Sequence, residues 1–299
     1  MRDKDAQIID IGCANGGLLK SLKDLGYNNL VGVDPSISCV ENVKDQGIEA
    51  TVGTLSNIPM HIGNFDCVIL SHVLEHVSDL RDAISVITDH LEPKAESLAY
   101  VEVPDAAWYH EFVKSPFQDF NTEHINHFSY QSLSNLFSLN GWSVKGSGET
   151  EILAAEGIPY PVVYGFFTRD VTVKTFHKDN ILKERIDLYI EKSTTIMAGL
   201  DAKIKSVLKK SDEVIVWGTG QLAMKLLAET SLGHAKIAAF VDSNPINQGK
   251  ILRGIRIVSP DQIFALDYPI IVTTILHALE VKNTIKNHLK ISNEIVLLQ

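Results

Sequence analysis

The sequence predicts an α/β fold built twice, on three observations. Short β-branched runs alternate with amphipathic stretches over residues 7–104. The same alternation begins again after residue 212. Each series opens on a strand-to-helix turn that carries glycines, DIGCANGG in the first and WGTGQ in the second. Strands that alternate with helices make βαβ units, and right-handed crossovers then build a parallel sheet.

In the first series the strands are QIIDIG, NLVGVDPS, IEATVG, FDCVILS and LAYVEVP. Between them lie the helical stretch GLLKSLKDLG, a second ending near Gln46 and a third reaching about Leu91. A loop of about 25 residues follows, then a helix from Tyr130 to Leu139 and the strands WSVKGSG and PVVYGFFTR. Two late strands joined without a long crossover predict an antiparallel edge on the sheet. From Asp179 to Lys210 the pattern is helical throughout, with apolar positions that include Ile186, Tyr189, Ile196, Leu200 and Ile204, and this stretch reads as a bridge. Ser211 and Asp212 close it. The second series runs through EVIVWGTG, QLAMKLLAET, KIAAFVDSN, IRIVSPDQIF, YPIIVTTI and a last helix to about Leu289. The domain reading is therefore 1–170, a bridging helical segment 171–211, and a smaller Rossmann-like α/β domain over 212–299.

The totals fit that picture and exclude others. At 299 residues the chain is long enough for two cores, and 45% hydrophobic with 21% charged residues is a globular composition. No run of 18 or more apolar residues occurs, and MRDKDAQIIDIG has neither an apolar targeting core nor a cleavage site, so a soluble, cytoplasmic protein without membrane contact is expected. A net charge of -10 with scattered Lys and Arg argues against a nucleic-acid partner. Cys13, Cys39 and Cys67 form no C-x-x-C pair, so they read as small buried hydrophobes.

Asp10, Gly12, Gly16 and Gly17 sit at the end of the first strand. Glycines there let the backbone turn sharply and approach a ligand, while the following helix points its N-terminus into the loop. Asp34 stands 22 residues after Gly12 at the end of the next strand, where a carboxylate can accept both ribose hydroxyls. An adenosine-type ligand is expected. Asp10 adds negative charge that would repel a pyrophosphate and favour a sulfonium with an amino-acid tail.

DIGCANGG resembles motif I of the class I S-adenosylmethionine-dependent methyltransferases. In the same order, VGVDPS resembles their ribose-binding acidic motif, VGTLSNIP their adenine-contacting loop, and FDCVILSHVLEHV the strand-four motif that flanks the methionine part. The resemblance implies a Rossmann-like seven-stranded methyltransferase domain with S-adenosylmethionine as cofactor. It also implies a cofactor site made by Asp10, Gly12, Cys13, Ala14, Gly16, Asp34, Pro35, Thr54, Leu55, Ser71 and His72. Ala14 replaces the middle glycine of the common pattern. Only six residues precede the first strand, where the resemblance implies covering helices, so either another segment or another subunit, of a homo-oligomer or a partner chain, is expected to cover the site, or the chain is shortened.

Two histidine clusters compete for chemical roles. His72-Val-Leu-Glu75-His76 matches the H-x-x-E-H wording of a zinc peptidase, but it directly follows a strand and the methyltransferase reading uses the same residues. TEHINHFS lies beyond the fifth strand, at the sheet edge where substrates of open α/β folds sit. No third ligand accompanies its histidines, so no metal is expected. His124 is the candidate base, with Glu123 orienting or charging its ring and His127 as the alternative; each could take a proton from a substrate hydroxyl or from a carbon beside a ketone. E-H-x-x-x-F-S followed by the GTG unit resembles the sugar C-methyltransferases that act on nucleotide-linked deoxysugars. Asn121 stands where that family has a tyrosine, and its cysteine-rich zinc module is absent, so O-methylation of a sugar or nucleotide-sugar acceptor is favoured over C-methylation.

In the second half, Gly218 and Gly220 lie on the strand-to-helix turn and Asp242 follows 22 residues after Gly220. Alone this pattern reads as a nucleotide site. Ala223 replaces the third glycine of G-x-G-x-x-G, and the resemblance implies a domain that shapes the acceptor site or holds the nucleotide end of the substrate. The rival readings are a nicotinamide-dependent sugar-nucleotide oxidoreductase and a non-catalytic binding subunit.

Overall fold

The computed structural model describes residues 3–59, 64–90, 97–153, 157–172, 175–275 and 277–298. They form two compact units, Met1–Phe112 with Thr122–Ile186, and Val113–Asn121 with Asp187–Gln299. The division therefore falls inside the bridging helix predicted from the sequence.

The first unit holds β1 (Gln7–Ile11), α1 (Gly17–Asp24), β2 (Asn29–Asp34), α2 (Ile37–Asp45), β3 (Glu49–Val52), β4 (Cys67–Ser71), α3 (Leu80–His90), β5 (Leu98–Pro104), α4 (Tyr130–Leu139), β6 (Trp142–Leu153) and β7 (Pro159–Arg169). The end of α3 predicted at Leu91 lies outside the described residues. The strands make one seven-stranded sheet in the order β3-β2-β1-β4-β5-β7-β6. β1 to β5 pair in parallel, whereas β7 runs antiparallel to both β5 and β6. The antiparallel edge follows from the short link between β6 and β7, which allows no crossover.

Alternation along β1 shows how the layers are built, because successive strand side chains point to opposite faces. Ile8 packs with Leu19, Val40 and Val43 under α1 and α2, while Ile9 joins Ile84, Ile87, Leu133 and Phe137 under α3 and α4. Ser36 caps α2 by accepting from the Cys39 N–H, and Ser129 with Ser132 forms a capping box at α4. Cys13 and Cys67 are buried, with thiols pushed up to about 12 mainly by that burial, whereas Cys39 is partly exposed.

α5 (Leu182–Leu208) contributes Met197, Leu200, Ile204 and Val207 to the core of the second unit. That unit continues with β8 (Glu213–Trp217), α6 (Gln221–Glu229), β9 (Lys236–Val241), β10 (Ile251–Leu252), β11 (Ile255–Val258), β12 (Ile270–Val272), α7 (Ala278–Asn283) and β13 (Ile295–Leu297). Its sheet has the order β10-β11-β9-β8-β12-β13, parallel except for the β10–β11 pair. The two-residue β10 and the three-residue β13 were not foreseen, since neither is long enough to show a period. No described helix is long and apolar enough to cross a membrane.

Candidate active site

In the first unit the carboxyl ends of β1, β2 and β4 open onto a cavity of about 490 Å³. A volume of that order suits a small ligand. Six of the residues implied for the cofactor line it: Gly12, Asp34, Pro35, Thr54, Leu55 and His72. The far wall, which sequence reasoning missed, comes from Ser78, Asp79 and Asp82 on the way into α3. The only hint of it was that this segment directly follows β4.

The glycine turn is shaped by close approach. Gly12 has φ +82°, and a Cβ there would stand 2.6 Å from Val73 Cγ2; Gly16 has φ +77°, and its Cβ would meet Val43 Cγ2 at 2.8 Å. Ala14 also lies at positive φ, +46°, and its N–H donates to Asp34 Oδ2 at 2.9 Å. Ser36 N–H donates to Asp34 Oδ1 at 2.8 Å. Two backbone donors thus fix Asp34 at the mouth of the turn, and each oxygen keeps capacity for a ribose hydroxyl. Cys13, Ala14 and Gly16 build the turn without lining the cavity.

Asp10 lies behind the turn, 3% exposed, and its Oδ1 accepts no hydrogen bond among the described residues. Burial, reinforced by Asp34, raises its pKa to about 7. A buried carboxyl with an open acceptor favours a ligand that brings positive charge. These features fit the methionine end of S-adenosylmethionine, with Asp34 at the ribose.

Ser71 and His72 end β4. Ser71 Oγ donates to Glu102 Oε1 at 3.0 Å. His72 is held at φ +56°, with Nδ1 3.2 Å from Glu75 Oε1 and Nε2 3.6 Å from Glu102 Oε1. Burial pulls its pKa down, but the hydrogen bond and charge of Glu75, with the charge of Glu102, outweigh burial and leave it raised. Glu75 is 1% exposed.

The second histidine cluster meets this turn directly. His76 lines the cavity, and its ring lies edge-on to that of His124, with centroids 5.0 Å apart. His76 Nδ1 stands 2.9 Å from the Glu123 carbonyl oxygen. Burial lowers the pKa of His124; His76 and His72 add to the lowering, while Glu75 and Glu123 oppose it. His127 is also lowered, first by burial and then by His124, and its ring packs edge-on against Tyr109. His124 therefore sits next to the cavity wall with its imidazole biased toward the neutral form, whereas His127, equally half-buried, packs against Tyr109.

The sequence offered no third ligand beside His124 and His127, yet the fold brings Glu75, His76 and His124 together with donor atoms within 4.8 Å of one another. Glu75 comes from the other motif, 49 residues from His124 in the chain, which is why local spacing hid it. Donors around one zinc ion stand about 3.3 to 3.6 Å apart. Glu75 Oε1 and His76 Nε2 are 3.9 Å apart, and Glu75 already pairs with His72.

Residues 1–145 match the family described as "Methyltransferase domain". With the glycine turn, the β2 carboxylate and the sheet order on hand, the assignment follows. The first unit is a class I S-adenosylmethionine-dependent methyltransferase domain. Residues 210–297 match a second family, described as "C2185-like, N-terminal". Over 272 residues the chain is 25% identical to C-methyltransferase NovU of Streptomyces niveus, covering 85% of this chain and 63% of that protein's length. Among solved structures, an S-adenosylmethionine-dependent methyltransferase of Methanosarcina mazei is similar at 17% identity and a TM-score of 0.46, covering 56% of this chain and 94% of its own. One from Mesorhizobium loti is similar at 13% identity and a TM-score of 0.43, covering 55% and 91%.

In the second unit, Gly218 has φ +102° and Gly220 caps α6. Asp242 accepts from Thr219 N–H at 3.2 Å, Asn247 Nδ2 at 3.0 Å and Asn244 N–H at 2.8 Å, and from the Thr219 hydroxyl. Burial would raise its pKa, but these donors together lower it. The carboxylate that resembles a ribose ligand in sequence is thus already committed to its own loop.

Proposed function

We propose that the protein transfers a methyl group from S-adenosylmethionine to a sugar or nucleotide-linked sugar. The observation that carries this reading is the continuous cavity from Gly12 and Asp34 to His72 and His76, with His124 against its His76 wall. Bound there, S-adenosylmethionine supplies an electrophilic methyl carbon. Asp34 would hold the ribose and Asp10 would favour the cationic end. His124, biased toward its neutral form by burial, would take the proton from the acceptor hydroxyl as its oxygen displaces the sulfonium sulfur at the methyl carbon, the sulfur leaving as a neutral thioether. Glu123 would favour the imidazolium. His127, packed against Tyr109, is the weaker candidate for that role. In-line displacement gains mainly from holding nucleophile and methyl together, and a rigid wall beside the cofactor serves that end.

Oxygen methylation is the simpler reading, because Asn121 replaces the tyrosine of the sugar C-methyltransferases. The similarity to a protein named a C-methyltransferase favours carbon methylation as the second reading; His124 would then take a proton from the carbon beside a ketone. For the C-terminal unit we propose recognition of the acceptor or its nucleotide end, with Gly218, Gly220 and Asp242 shaping the turn.

The test is incubation of the purified chain with methyl-labelled S-adenosylmethionine and a panel of nucleoside-diphosphate sugars, including 4-keto deoxysugars. Label in a sugar, located on oxygen or carbon by NMR, is the expected outcome. Tight S-adenosylmethionine binding with no label in any sugar would overturn the sugar reading. NADH formation with any of these sugars would favour an oxidoreductase.

A further inference from the structure

The base assigned above sits in a four-residue segment, Glu123–Asn126, that has no helix or strand to hold it. Its position is set by the turn after β4. Glu75 carbonyl oxygen accepts from both Ile125 N–H at 2.9 Å and Asn126 N–H at 3.1 Å. Asn126 Nδ2 donates to Leu74 carbonyl oxygen at 2.9 Å and to Val77 carbonyl oxygen at 2.7 Å. His76 Nδ1 meets the Glu123 carbonyl oxygen at 2.9 Å. The carbonyls of Leu74, Glu75 and Val77 and the ring of His76 thus grip the segment on both sides of His124. Only the amide nitrogen of Asn126 satisfies two carbonyls at once, so the orientation of its side chain is determined by its partners.

We propose, building on His124 as the base, that Asn126 is a positioning residue: it clasps the His124 segment to the Leu74–Val77 turn that forms the cavity wall and so fixes the imidazole relative to the methyl site. The isosteric Asn126→Asp change would turn two donated bonds into a carboxylate facing two carbonyl oxygens. The segment would move off the wall, and a displacement of about 1 Å at a reacting group costs on the order of 100-fold in rate.

The test uses the full chain and compares N126A, N126D, H124A and the double variant H124A/N126A. Methyl transfer to the acceptor found with the sugar panel should fall about 30- to 100-fold in N126A and N126D, while calorimetric affinity for S-adenosylmethionine stays within about twofold. The double variant should be no more than about twofold slower than H124A alone, because residues that act through one group are not additive. Multiplied effects, a parallel loss of cofactor affinity, or near-normal turnover in N126A would overturn the proposal. Hydrogen exchange reads the clasp without turnover. The Ile125 and Asn126 amides should exchange at least tenfold faster in N126A while β4 amides stay unchanged, and unaltered exchange would also overturn it. Full activity in H124A would instead sink the base assignment, and the exchange result would still decide whether the clasp exists.

Discussion

The two glycine turns look alike in sequence and differ in what their carboxylates do. Gly12 to Asp34 and Gly220 to Asp242 share a spacing of 22 residues; Asp34 ends β2 and Asp242 directly follows β9, the second strand of each unit. Asp34 receives two backbone N–H groups, from Ala14 and Ser36, and lines a cavity. Asp242 receives two backbone N–H groups, the Thr219 hydroxyl and the Asn247 amide. A carboxylate has about four acceptor positions. The first turn leaves part of that capacity facing a cavity, and the second spends it on its own loop. The difference lies in Thr219 against Ala14, and in Asn247, side chains that a glycine count ignores.

Removing each carboxylate is the sharpest way to break the comparison. Asp34→Ala should weaken S-adenosylmethionine at least tenfold, about 1.4 kcal/mol, and lower stability by about 1 to 2 kcal/mol because the Ala14 and Ser36 N–H groups lose their acceptor. Asp242→Ala should leave cofactor affinity unchanged and lower the stability of the second unit by about 2 kcal/mol, since charge-assisted hydrogen bonds to a partly exposed group are lost. Calorimetry with denaturant melts followed unit by unit would separate the two. Loss of S-adenosylmethionine affinity in the Asp242 variant would break the contrast.

Asp10 supplies the next distinction, and its sign can be worked out. The pKa is about 7 in the folded protein, against about 3.9 in an unfolded chain. Between those values the native state holds the extra proton, so the contribution of Asp10 to stability declines as pH rises from about 4 to 7. Cofactor binding runs the other way. If the ionised carboxylate is the form that favours a cationic ligand, S-adenosylmethionine affinity should rise about tenfold from pH 6 to pH 8. Asp10→Asn should flatten that slope. A slope that survives the substitution would assign the proton to another group.

Much of this was legible in the chain. Periodicity and turn chemistry carried the parallel strands, the antiparallel edge and the helix from Tyr130 to Leu139, because long periodic elements announce themselves. Asp34 was legible because its spacing from Gly12 spans one βα unit. Glu75 and Asn126 were not, since their roles depend on the meeting of the turn after β4 with a segment about 50 residues later, and Glu102 was not, since it acts from β5 on Ser71 and His72 across the sheet. The use of the Asp242 lone pairs was equally hidden, because Asn244 and Asn247 read as ordinary loop residues until their donors are placed.

Ser36→Ala gives the smallest expected effect and separates side chain from backbone at the first turn. The Ser36 hydroxyl accepts from Cys39 N–H at 3.4 Å, a long contact, while its own N–H holds Asp34 Oδ1 at 2.8 Å. Alanine keeps the N–H and removes only the cap. Loss of an N-cap of this kind costs about 0.5 to 1 kcal/mol of stability, so the melting temperature should fall by a few degrees at most. S-adenosylmethionine affinity should stay within about twofold, because both donors to Asp34 remain. In the second unit Asn244 stands in the same relation to Asp242, its N–H donating to Asp242 Oδ1 at 2.8 Å and its side-chain oxygen accepting from Ile246 N–H at 3.0 Å. A tenfold loss of affinity in Ser36→Ala would mean that the Asp34 carboxylate is aimed by the capped start of α2 and not by its two N–H donors. The contrast between the turns would then rest on helix capping as much as on lone pairs.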